Sequence, residues 1–135
     1  MRPNMLPMLA IIATTALIGT AIAAEMTAAE LKDLHTGKSL YIASTATSSG
    51  GAGEGVIYYG ADGNALYKTG KGEIWQGPWS IKDNTVCIAW KHMPDNPCSR
   101  YDKQGDTITI INVKSGQPRG TVKKTAAGNA ENIKP

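Results

Sequence analysis

The chain reads as all-β: a small, mainly antiparallel meander curled into a lipocalin-like barrel or bent sheet, with one short N-terminal helix. Three observations predict this class. Short β-prone runs recur between tight turns rich in glycine, aspartate and asparagine, and no helical pattern separates them. Asp62-Gly63 lies between two such runs, residues 56–59 and 65–68, and glycine there accepts the positive φ of a tight hairpin. The clearest β run is TITIINV, residues 107–113, which is dense in β-branched side chains.

The first 24 residues stand apart from this pattern. Arg2 precedes an uncharged apolar stretch, residues 6–24, which closes on the small residues Ala21-Ile22-Ala23-Ala24. Charge, apolar centre and small-residue end make the pattern of a secretory leader, with cleavage after Ala23 or Ala24. The same stretch is just long enough to span a bilayer, but its threonines and alanines and its Ala-x-Ala end favour cleavage. No cysteine follows it to carry a lipid. Cleavage leaves about 111 of the 135 residues, enough for one domain with a small core. The expected organisation is a leader at 1–24, a single β domain at 25–125 and a loose C-terminal tail at 126–135, in a periplasmic or secreted protein.

Within the β domain, Thr27 and Glu30 form a capping box that starts a helix. Leu31 and Leu34 share one face, and Gly37 stops it. A helix this short needs a sheet to lie on. A first strand follows at residues 39–43. The segment STATSSGGAGEG, residues 44–55, is too flexible for a framework element and suits a lid over a barrel mouth. Strands are then expected at 56–59, 65–68, 73–75 and 79–81, with Gly77-Pro78 interrupting or bending the last pair because proline donates nothing to a ladder. Residues 85–90, 99–102 and 107–113 follow, then a loop at 114–120 and a short final strand at 121–123.

The order and spacing of several short motifs are distinctive. Leu34-His-Thr-Gly37, Tyr58-Tyr59-Gly-Ala-Asp62-Gly63, Gly77-Pro-Trp79 and Cys87-Ile-Ala-Trp90 are followed by Cys98. Over residues 34–102, about half of the chain, this resembles a family of small secreted alphaproteobacterial proteins of unknown function. The resemblance implies a periplasmic β domain with one disulfide and supplies no catalytic residue.

The residues themselves also point to a disulfide. Export places Cys87 and Cys98 in an oxidising compartment, and they flank consecutive strands, so antiparallel pairing sets them opposite each other. Pro94 and Pro97 stiffen the enclosed loop, which displays Lys91, His92, Met93 and Asp95 as a candidate recognition tip. His92, Met93 and two sulfurs are ligand types for copper, zinc or haem, but oxidised cysteines leave no third ligand and no CxxCH is present. No metal and no cofactor are therefore expected.

Phenylalanine is absent, so tryptophan and tyrosine supply the bulky packing. Tyr58, Tyr67, Trp75, Trp79 and Trp90 are candidate cavity aromatics. Without Arg2 the chain carries 13 basic and 11 acidic residues, too little charge for nucleic acid, and no basic run exceeds Lys123-Lys124. Asp62, Asp83 and Asp106 occupy turns, and no serine, histidine and carboxylate grouping suggests catalysis. The expected role is that of an exported non-catalytic binding or envelope-interaction domain, its partner a protein or small molecule of the envelope, with no stable membrane insertion after cleavage. The alternative is a carrier of a small apolar ligand or haem in an aromatic-lined barrel cavity.

Overall fold

The computed structural model describes residues 22–135; the expected leader lies almost wholly outside them. The described chain runs β1 (Ala24–Glu25), α1 (Ala28–His35), β2 (Lys38–Ser44), β3 (Gly53–Tyr59), β4 (Asn64–Lys68), β5 (Ile74–Lys82), β6 (Thr85–Ile88), β7 (Ser99–Gln104), β8 (Thr107–Asn112) and β9 (Pro118–Ala127). Strands β2 to β9 each pair antiparallel with the next, and β9 returns to pair with β2, which closes an eight-stranded barrel. The short β1 extends the β6 side of β7 by pairing Ala24 with Lys103 and Glu25 with Asp102. No helix among the described residues is long and apolar enough to cross a membrane.

Strand alternation fills the interior. Leu40 and Ile42 from β2, Ile57 and Tyr59 from β3, Ala65 and Tyr67 from β4, Tyr101 from β7 and Ile110 from β8 are all buried in one core. Eight strands leave an interior just wide enough for side chains to occupy most of it. Helix α1 lies across one end. Thr27 and Glu30 form the capping box, and Asn84 from the β5–β6 turn accepts the Ala28 N–H at 2.9 Å. Leu31 and His35 are fully buried beneath the helix, which makes this the closed end of the barrel.

Several segments depart from the sequence expectation; among them, β3 already begins at Gly53, inside the segment expected to be too flexible for a framework element. Gly77-Pro78 does not break β5. Pairing with β4 ends at Pro78, and pairing with β6 begins at Trp79. The proline therefore sits where one neighbour replaces another, and Gly77 lets the backbone of Ala89 pass against it. The last strand is longer than expected: β9 starts at Pro118 and continues to Ala127.

Residues 126–135 are not a loose tail. Ala126 and Ala127 belong to the sheet, opposite Ser39 and Lys38. Beyond them, the buried Ser39 hydroxyl donates to Gly128 O at 2.7 Å and accepts the Ala130 N–H at 3.1 Å. Tyr41 donates to Glu131 at 2.6 Å, Asn129 makes two bonds to the Ile133 backbone, and Ile133 is buried. A segment without periodicity is thus held by specific polar contacts to the outer face of β2.

Candidate functional site

The end of the barrel opposite α1 is covered by loops. Residues 45–52 connect β2 to β3, and residues 89–98 connect β6 to β7. Ser48, Ser49 and Gly50 of the first loop meet Asn96 and Pro97 of the second over the lumen. Ser49 donates to Asn96 Oδ1 at 3.0 Å, an exposed bond that latches the loops together. The glycine-serine segment is packed close: a side-chain carbon on Gly50 would collide with the ring and hydroxyl of Tyr67.

The second loop is set by the disulfide. Val86 is paired with Ser99, so the next opposing pair along the two strands is Cys87 and Cys98. Their Cα atoms lie 4.3 Å apart, and the sulfurs are bonded. Val86 and Ser99 are buried on the inner side, which places the bridge on the outside of the wall. The expected strand at 85–90 stops at Ile88. Trp90 remains buried and forms an isolated bridge with Met93, closed by the Met93 N–H to Trp90 O bond of 2.8 Å.

The loop residues singled out in the sequence separate by role. Lys91, His92 and Asp95 are exposed, whereas Met93 is partly buried against the core. The His92 ring lies 4.4 Å from that of Trp75 on the outside of the lumen wall. Among the described residues, no group of three or more histidine, cysteine, aspartate or glutamate side chains is arranged to hold a metal ion.

Beneath the two loops lies a cavity of about 60 Å³. Of the five expected aromatics, Tyr67, Trp75 and Trp90 line it and pack on one another at 5.4 to 5.9 Å between ring centroids. Tyr58 and Trp79 do not. Tyr58 lies on the outer face of β3, one residue out of phase with buried Ile57 and Tyr59. Trp79 sits at the closed end, stacked edge-on against Tyr59 at 5.3 Å and donating its indole N–H to Gly60 O.

The remaining polar lining lies outside the five expected aromatics. Tyr59, Tyr101, Ser44, Ser99 and Arg119 all face the cavity. Arg119 enters through a β-bulge: Ile110 pairs with Gly120 and Ile111 with Pro118, so Arg119 is the extra residue between them. Bulges re-aim side chains, and here the result is a guanidinium among tyrosines and isoleucines. The sequence signal that would locate it is the Pro-Arg-Gly triplet at the start of β9, but only with the register of β8 known.

This polar set is poorly bonded. The buried Nε of Arg119 has no hydrogen-bond acceptor, and among the described residues no carboxylate pairs with its guanidinium. Tyr59 and Tyr101 hydroxyls stand 3.4 Å apart, as do those of Ser44 and Tyr67, both long for O–H···O bonds. Burial lowers the pKa of Arg119, offset in part by the facing phenols. Burial also pushes Tyr101 up to about 12 and Tyr59 well above its ordinary value, so both phenols are neutral donors at physiological pH.

His35 closes the far side of this pair. Its ring meets Tyr59 and Tyr101 edge-on at 4.5 and 4.7 Å, and its Nδ1 bonds to Leu31 O at 2.7 Å. Nδ1 therefore carries the proton and donates, which leaves Nε2 as a buried lone pair without a partner. Burial lowers its pKa to about 4, so the ring is neutral at physiological pH. The arrangement provides donors, one fixed positive charge and apolar walls, a set suited to holding a small polar molecule. No family model, curated protein or solved structure matches this chain.

Proposed function

We propose that the protein is an exported, non-catalytic binding domain of the bacterial envelope, periplasmic or secreted, and that its ligand site is the lumen beneath the two latched loops. The observation that carries this reading is the polar lining of the lumen, where the buried Arg119 Nε has no acceptor and two hydroxyl pairs stand at a long 3.4 Å: buried polar groups are ordinarily satisfied, and a donor left unpaired inside a cavity points to a guest. The Cys87–Cys98 bridge supports export, because such bonds persist in oxidising compartments. It also fixes the loop that bears Asn96 and Pro97. The resemblance to small secreted alphaproteobacterial proteins agrees with the same setting.

The size of the lumen narrows the guest. About 60 Å³ is well below the roughly 300–1,000 Å³ of sites that enclose drug-sized molecules. Haem does not fit it, and His92, the residue offered for haem, lies outside the wall. The test is native mass spectrometry of protein purified from the periplasm with its disulfide intact. A small mass increment that disappears on denaturation is expected. Protein that arrives without any guest, and whose tryptophan emission is unmoved by every small acid, amide and alcohol offered, would overturn the reading.

A further inference from the structure

The lumen binding reading leaves open which chemistry the guest has, and Arg119 bears on it directly. A guanidinium keeps its proton at any physiological pH, and removing it from water without a counter-charge is unfavourable. Elsewhere in the described chain an arginine is paired: Arg100 meets Asp102 at 3.1 Å on the outer face. Arg119 has only uncharged side chains, phenols, hydroxyls, the Asn96 amide and apolar groups, around the cavity it lines. No titration of those neighbours supplies negative charge near neutral pH, because burial raises both Tyr59 and Tyr101. We infer that the lumen binds a small monocarboxylate, its carboxylate held by Arg119 and the Tyr59 and Tyr101 hydroxyls, its short apolar end among the isoleucine and tryptophan side chains.

This rests on the binding reading and adds the class of ligand. Three features select a monocarboxylate among anions. One fixed positive charge matches one negative charge. A planar carboxylate accepts from a guanidinium fork and has remaining lone pairs for phenolic donors. The walls formed by Ile42, Ile57, Val86 and Ile110 offer no donor, so the part of the guest that faces them is apolar, and inorganic phosphate has no such part. The volume limits the chain attached to the carboxylate to a few heavy atoms, unless the 45–52 loop opens. That loop and the stapled loop are joined side chain to side chain by the Ser49–Asn96 bond at the mouth of the lumen.

The test uses the full mature protein with its disulfide intact, at constant ionic strength, read by calorimetry and by tryptophan emission from Trp75 and Trp90. The probes are propionate and butyrate, their neutral amides, and inorganic phosphate. Saturable binding of butyrate at least tenfold tighter than butyramide is expected, with phosphate weaker still. Arg119→Gln should remove that preference, so that butyrate binds no tighter than butyramide. Because Arg119→Gln deletes a partly buried charge that no carboxylate faces, the free variant should melt no lower than the native protein and should lose the thermal shift that butyrate gives the native protein. Equal binding of acid and amide, tighter binding of phosphate, or an unchanged acid preference in Arg119→Gln overturns the carboxylate assignment and leaves the lumen as a binding site. Absence of binding by any probe overturns both. Should the variant fail to fold, the acid-against-amide comparison on the native protein decides alone.

Discussion

At the scale of single residues, His35 ties acidity to stability. Its folded pKa is about 4, against 6.5 for a free imidazole. The unfolded chain therefore binds a proton as pH falls below about 6.5, while the folded chain resists until about 4. Stability from this residue is complete above the upper value and declines as pH falls through the window. The full loss is about 3 kcal/mol. Tyr59, Tyr101 and Trp79 surround the ring, and the nearby Lys38 charge also disfavours protonation. Urea unfolding of the native protein between pH 7 and 4 should show this decline, and His35→Phe should flatten it. Gly77 makes a second test. A methyl group there meets the Ala89 backbone, which cannot yield without moving β6, so Gly77→Ala should cost roughly 1–3 kcal/mol in the same assay.

At the scale of elements, two pieces outside the regular ladder hold the barrel's surface together. The disulfide closes a span with a sequence separation of 11. Reducing it, or changing Cys87→Ser, should lower unfolding free energy by about 3 kcal/mol, and neither thiol should react with a labelling reagent before reduction. The C-terminal segment is the other. Ile133→Ala removes a buried side chain and should cost about 2 kcal/mol or more by equilibrium denaturation, whereas a truly loose tail would tolerate it without change.

What was legible in the sequence at this scale follows from how local each signal is. The helix cap, the Asp62-Gly63 turn and the facing cysteines depend on residues close in the chain or on adjacent strands, and all three are present as read. Tyr58 and Tyr59 could not be assigned to faces, because Val56 and Ile57 make either phase apolar until the pairing with β2 and β4 fixes it. Arg119 was hidden for a stronger reason. Its inward turn results from a register slip against β8, a strand separated from it by a loop, and no local pattern encodes that slip. The C-terminal segment reads as loose in the sequence because its anchors, Ser39 and Tyr41, lie about 90 residues upstream.

At the scale of the whole molecule, the two ends of the barrel are built differently. The closed end is knitted by α1, the buried His35 cluster and the return of the C-terminal segment to Gly37 and Ser39. The lidded end relies on one stapled loop and one glycine-serine loop. The latter is tied by the Ser49–Asn96 bond, the bonds of Thr45 and Thr47 to Pro118 O, and short turns. Local opening should follow this contrast. Hydrogen exchange should find the amides of residues 46–52 exchanging much faster than those of β2 and β9, and a lumen ligand should slow the former selectively. Uniform protection around both ends would contradict this division.

The short strand β1 gives the molecule a direction. Ala24 pairs with Lys103, near the closed end, and the next residues pass straight into the helix that caps it. Whatever precedes Ala24 therefore departs from the sealed base and not from the mouth. On the proposed exported reading, a chain held at a membrane by an uncleaved leader would hang like a cup by its foot, with the opening turned toward the surrounding fluid and its rim open to solutes.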